Sequence, residues 1–289
     1  MYVDSTSSSP TVIHVIPKDK GVTGVTSLGD DVFVVRFNSQ QIEVYDAKTF
    51  TLQRHITVFG LGSSYGLVAC PYNNCLYASD FYNNSIHRVG LSRSNALMKW
   101  SVADWPVGLS LNIEHNLLVV SRDESKLQIF TTRGTLLQNI QLQADIESPL
   151  HAVQLSTGQF LVSHSGSLGL DRICLMGVDG AVVLSYGGQK GSKLTQMKTP
   201  RCLAVDREGR VLVADCYNNR LLVMDDFESL SSAREMLVSV DGGLRGPYSL
   251  WYDQSRRRLY IGEFIDIIGG RLIVIDNLKD FTASQVLQA

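Results

Sequence analysis

The chain has 289 residues, 44% hydrophobic and 19% charged, a composition that excludes a disordered chain. A net charge of −2 and a sequence pI near 6.3 exclude a generally basic nucleic-acid binder and leave room only for a local basic patch. No run of about 18 apolar residues occurs, and residues 1–10 are polar and Ser-rich with no basic stretch ahead of an apolar one. These features predict a disordered tail or linker over 1–10, a cytoplasmic protein and no membrane partner.

From residue 11 onward the chain reads as strands. Runs of four to seven β-branched and aromatic residues are broken by Gly, Pro, Asn and Asp. Thr11-Val-Ile-His-Val-Ile16 stands alone ahead of the first complete unit, which runs from Val32-Phe-Val-Val-Arg36 to Val44-Tyr45. The second unit carries Ala78-Ser-Asp80-Phe-Tyr82-Asn83-Asn84-Ser-Ile86. Within it, Cys70 and Cys75 flank a hairpin loop, Pro71-Tyr72-Asn73-Asn74. The two read as packed, reduced thiols, with a disulfide as the alternative. Five scattered cysteines do not make a disulfide framework. Residues 118–130 form a third, degenerate copy, and residues 160–164 continuing to 176 a fourth.

The fifth unit repeats the second almost residue for residue: Val213-Ala-Asp215-Cys-Tyr217-Asn218-Asn219-Arg-Leu221 lies 135 residues on, three times 45. A helical turn is expected within 227–236 and a polar fourth strand at about 235–240. The sixth unit spans Leu259-Tyr-Ile-Gly-Glu263 to Ile273-Val-Ile275. Four antiparallel strands in each of six units define an all-β, six-bladed β-propeller over residues 11–289. Residues 11–16 are expected to supply the outer strand of the last blade and so remove an open edge. The competing closing strand is 283–287.

Aligned on the second strand, the first strands present a column of Gly24, Gly66, Gly108, His151, Cys202 and Ser249, small residues suited to a crowded axis with one bulky exception. Pro106, Pro149, Pro200 and Pro247 have no N–H to offer a ladder and belong at strand mouths. Asp80 and Asp215 end second strands, where a carboxylate can accept N–H bonds from the following loop.

With these residues the chain resembles the NHL-repeat family. That family's blade reads roughly Pro-x-Gly-hydrophobic-Ala-Val-Asp, a Gly turn, then Val-Ala-Asp-x-x-Asn-x-Arg-hydrophobic. Residues 200–224 follow it nearly throughout, with a Gly-rich lead-in at Gly187-Gly188 and Gly191. Blade two follows it moderately, and the other four follow it in spacing and hydrophobicity. Gly-His and Trp-Asp pairs are missing, which argues against WD40 repeats, and no Gly-Gly doublet recurs at a fixed place, which argues against kelch repeats. The resemblance implies a domain of the kind found at the C-terminus of tripartite-motif ubiquitin ligases, which binds RNA or protein on one face.

Propeller enzymes are the alternative. The amidating lyases, whose repeats resemble the NHL type, use three channel-facing histidines on zinc, and a catalytic zinc needs such a set. Here only His151 occupies that column, with His164 one strand over. Lactonase-like propellers hold calcium through channel carboxylates. Here Asp80, Asp215 and Glu263 share their column with Arg36 and Arg122, which oppose a cation. The reading is therefore a non-enzymatic platform without cofactor or metal. Its face carries Arg36, Tyr65, Phe81, Tyr82, Arg122, His151, His164, Arg201, Tyr217, Arg220 and Tyr248. Aromatic and arginine side chains suit hot spots for a protein or peptide, the first expectation, and also stacked single-stranded RNA bases, the second. No DNA partner is expected. Arg256-Arg257-Arg258 falls in a turn on the opposite face.

Overall fold

The computed structural model describes residues 11–92, 96–167, 169–225, 233–236, 238–265, 269–276 and 278. They form six antiparallel four-stranded sheets. The first strand of the chain, β1 (Thr11–Lys18), stands apart. Blade one follows as β2 (Val22–Leu28), β3 (Asp31–Arg36), β4 (Gln41–Asp46) and β5 (Leu52–Thr57). Blade two is β6 (Leu67–Cys70), β7 (Cys75–Asp80), β8 (Ser85–Gly90) and β9 (Leu97–Ser101). Blade three is β10 (Pro106–Leu111), β11 (Leu117–Ser121), β12 (Lys126–Phe130) and β13 (Leu136–Gln141). Blade four comprises β14 (Pro149–Gln154), β15 (Phe160–Ser165), β16 (Leu170–Met176) and β17 (Val182–Gln189). Blade five comprises β18 (Pro200–Val205), β19 (Val211–Asp215), β20 (Arg220–Met224) and β21 (Ala233–Met236). Blade six is β22 (Pro247–Asp253), β23 (Arg258–Glu263) and β24 (Gly270–Asp276), and β1 is its fourth strand.

The expected closure is therefore present. β1 pairs antiparallel with β24, from Thr11 against Asp276 to Lys18 against Gly270, with a bulge at Ile13. The alternative at 283–287 lies outside the described residues. So does most of the helical turn expected within 227–236, whose last four residues form β21, earlier than the strand expected at 235–240. The four prolines open β10, β14, β18 and β22, as their missing N–H requires.

The core sits between the blades. Six buried clusters each join two neighbouring blades, as when Phe33, Val35 and Ile42 of blade one meet Leu67, Leu76 and Ala78 of blade two. Second and third strands are covered on both faces and read as unbroken apolar runs, such as Leu76–Ala78 or Leu221–Val223. Outer strands face water on one side, and β5 and β13 are largely exposed.

Among the described residues the six inner strands have no strand partner on the axis side, which leaves a backbone edge there in every blade. Side chains of adjacent blades serve these edges. Thr26 Oγ1 accepts the Ala69 N–H at 3.1 Å, Ser110 Oγ donates to the Ala152 carbonyl at 2.8 Å, and Cys202 Sγ accepts the Leu250 N–H at 3.4 Å. The small-residue column has a steric cause. A Cβ on Gly66 would stand 2.9 Å from the Val107 carbonyl oxygen, and one on Gly108 would stand 2.5 Å from that of Leu150. His151, the bulky exception, fills the seam: its Nε2 lies 3.3 Å from the Leu109 carbonyl, and its Nδ1 accepts the Leu203 N–H at 3.4 Å.

Candidate functional site

The loops between second and third strands and the connections between blades share one face, and two rings of residues surround the channel mouth there. Thr23, Tyr65, Val107, Leu150, Arg201 and Tyr248, each next to a small-column residue, form the inner ring. The outer ring is the residue just past each second strand, or the last residue of that strand in blade four: Phe37, Phe81, Arg122, Ser165, Cys216 and Phe264. In every case its N–H bonds a carbonyl of the preceding connection, respectively Gly21, Ser63, Trp105, Ser148, Thr199 and Gly246.

This register corrects the sequence alignment in blade three. Pro106 pairs with Ser121 as Pro200 pairs with Asp215, so Ser121 is the residue equivalent to Asp215. Arg122 lies one step further, in the outer ring among the aromatics.

The second-strand column itself is occupied by internal latches. Arg36 donates to Glu43 at 2.9 Å and to the Lys20 carbonyl at 3.0 Å. Asp80 meets His87 at 3.1 Å and Asn83 at 2.9 Å. Asp215 accepts the Arg220 Nε at 2.8 Å and the Lys198 N–H at 2.7 Å, so its backbone donor belongs to the preceding connection and not to the following loop. Burial raises the Asp215 carboxyl above its ordinary value against the pull of these donors. Arg220 also caps the Ser192, Lys193 and Gln196 carbonyls. Glu263 pairs with Arg271 at 2.5 Å. His164 Nε2 accepts from Arg172 at 2.9 Å. Arg36, His164 and Arg220 are therefore buried and spoken for, not displayed on the face.

His151 and His164 both titrate below the usual histidine range. Burial, aided by the Arg201 charge and opposed by the Leu109 carbonyl, pushes His151 down to about 4. Burial and the Arg172 guanidinium take His164 to about 4 as well. Among the described residues no three His, Cys, Asp or Glu side chains converge in a metal-holding group. All five cysteines are buried and free, including the cross-strand pair Cys70 and Cys75.

The structure does assemble a continuous aromatic sector. Tyr65 contacts Phe81 at 5.0 Å, Phe37 at 6.2 Å and Tyr248 at 6.2 Å between ring centroids. Phe264 joins Phe37 and Tyr248, each at 5.3 Å, while Phe81 carries Tyr82 and Trp105 on its outer side. Arg201 lies over the Tyr248 ring at 4.4 Å and the Tyr65 ring at 5.6 Å, and its Nη2 donates to the Tyr248 hydroxyl at 2.5 Å. Burial raises the titration of both tyrosines. Tyr82 remains two-thirds exposed, as does Tyr217, which no ring contact joins to the cluster. Beneath the mouth a channel of about 850 Å³ follows the axis between apolar walls that include Leu67, Leu109, Leu203 and Leu250. Sequence reasoning missed Phe264. The position after each second strand, where Phe37 and Phe81 also stand, was the available signal.

Fold and face together define a six-bladed β-propeller with a concave aromatic mouth. Residues 198–224 match the model of the NHL repeat, the blade in which the sequence pattern is most complete. No curated protein sequence matches the chain. Among solved structures, a Bacteroides thetaiotaomicron protein of unknown function is similar with a TM-score of 0.70 at 13% identity, over 93% of this chain and 72% of that one. An auxiliary nutrient binding protein from the same organism gives 0.66 at 12%, over 90% and 70%. Virginiamycin B lyase from Staphylococcus aureus gives 0.61 at 9%, over 86% and 82%. At these identities the likeness is one of fold alone, and it includes both an enzyme and a binding protein.

Proposed function

We propose that the propeller is a non-enzymatic binding platform whose mouth recognises a protein or peptide. The observation that carries this reading is the sector Phe37, Tyr65, Phe81, Tyr248 and Phe264 packed around Arg201. Large aromatic groups and an arginine, held rigid in a half-desolvated concavity, bind at low entropic cost. Acidic side chains interspersed on the same face, including Asp104, Asp123, Glu124 and Asp145, disfavour a polyphosphate backbone. The bonds that tie His164 to Arg172 and His151 to the Leu109 and Leu203 backbone support a structural role for both rings. Five free thiols support a reducing compartment such as the cytoplasm.

Binding of a random dodecapeptide library and of random single-stranded RNA to the whole chain tests the reading. Peptides should be retained, and Tyr65→Ala and Tyr248→Ala should each weaken them by about 1–3 kcal/mol while melting near wild type. Arg257→Ala, on the opposite face, is the control and should change nothing. Retention of RNA alone, with affinity falling steeply with salt, would transfer the site to the RNA reading.

A further inference from the structure

Four arginines of the described residues are buried, and three carry their charge indoors in the same way. Arg36 pairs with Glu43 at 2.9 Å, Arg210 with Asp206 at 2.5 Å and Arg220 with Asp215 at 2.8 Å. Arg201, 8% exposed, pairs with no carboxylate among the described residues. Its single side-chain hydrogen bond goes to the Tyr248 hydroxyl, and two tyrosine faces flank it. Its charge acts on Tyr65, Tyr248, His151, Cys202 and Cys216, none of which carries a carboxylate. A buried guanidinium without a counter-charge is a destabilising element that ring faces offset only in part.

Its position gives this vacancy a direction. Arg201 lines the channel mouth beside Val107 and Leu150, and the walls below include the apolar Leu67, Leu109, Leu203 and Leu250. A second guanidinium without a carboxylate partner among the described residues, that of half-buried Arg122, stands in the outer ring near enough for Tyr65 to feel its charge. Cationic donors at the lip of an apolar cavity match an apolar group that ends in an anion.

We propose that the mouth is a receptor for a terminal carboxylate on an apolar group, foremost the free C-terminus of a peptide whose last side chain enters the channel. This rests on the peptide reading of the same site. A planar carboxylate matches the guanidinium fork in two parallel bonds, which an internal peptide segment does not offer. A free acyl carboxylate has the same chemistry and is the other source to separate.

Fluorescently labelled hexapeptides ending in Leu or Phe, as free acids and as C-terminal amides, are titrated into the full chain beside decanoate. Free acids should bind, and amidation should weaken them by about tenfold or more. Arg201→Met keeps an apolar stem between the tyrosines and should abolish the acid–amide difference with little change in melting. If that variant fails to fold, Arg201→Lys keeps the charge, loses the fork and should weaken acids several-fold while leaving amides unchanged. Equal binding of acids and amides would overturn the carboxylate inference and leave the peptide reading standing. Binding of decanoate without either peptide form would keep the carboxylate and overturn the peptide. Failure of all three probes to bind would overturn the inference.

Discussion

At the scale of single residues, the two neutral histidines give the fold a pH dependence with a definite sign. The native values of His151 and His164, about 4, lie below the unfolded value near 6.5, so folding favours the unprotonated rings. Their contribution is complete above about 6.5 and is lost as pH falls through 4. For His164, fully buried beside Arg172 and with Asp145 and Asp171 nearby, the loss reaches about 3 kcal/mol at pH 4. His164→Gln keeps an acceptor for Arg172 but cannot be protonated. Denaturation midpoints of this variant should therefore decline less than wild type between pH 7 and 4, and parallel curves would refute the assignment. Arg201 presents the reverse case, a charge held native where no neighbour balances it. What could be read of such residues in advance was their position on the face, because strand period and turn chemistry fix it. Whether a charge is spent internally was hidden. The latch partners vary in sign from blade to blade, from Arg36 with Glu43 to Asp215 with Arg220, and so leave no recurring motif.

At the scale of the strand, the inner column is a steric statement that can be tested directly. Gly108→Ala drives a methyl into two backbone atoms, the Leu150 carbonyl oxygen at 2.5 Å and the His151 Cα at 2.9 Å. Backbone cannot rotate aside as a side chain does, so a loss of about 1–3 kcal/mol is expected. Gly269→Ala, with nothing within 4 Å and no unusual backbone angle, should melt as wild type. If both variants melt alike, close approach of the blades is not what keeps the column small. The same strands explain a one-residue error. Blades two and five retain the Asp that marks the end of their second strand, whereas blade three has lost it. Only the observed pairing of Pro106 with Ser121 fixes its register. Spacing and hydrophobicity are enough to count strands, but without that Asp they leave the end of the strand open to a one-residue slip.

At the scale of the whole molecule, six units of about 45 residues made the ring legible, because each unit alone leaves its apolar faces uncovered and only neighbours can cover them. The closure can be measured at the β1 bulge and beyond it. Ile16 is buried and Ile13 is 39% exposed, so Ile16→Ala should cost about 2–3 kcal/mol and Ile13→Ala less than about 0.5 kcal/mol. Removing residues 1–17 should lower the melting temperature by about 10 °C and promote self-association through the bared β24 edge. An unchanged melting curve would mean that β1 contributes nothing to ring stability.

That first-with-last pairing also sets an order of events during synthesis. Thr11 meets Asp276, so β1, made ahead of the other propeller strands, finds its partner only after 265 further residues have been made. At translation rates of about 5–20 residues per second, it waits roughly 13–53 s as an unpaired, apolar, β-prone segment. Blades one to five can consolidate one after another meanwhile, since each is built from contiguous strands, but the circle stays open at one seam until β24 has been made. Nascent chains stalled before β24 should therefore be the species that chaperones hold, with β1 as the exposed handle.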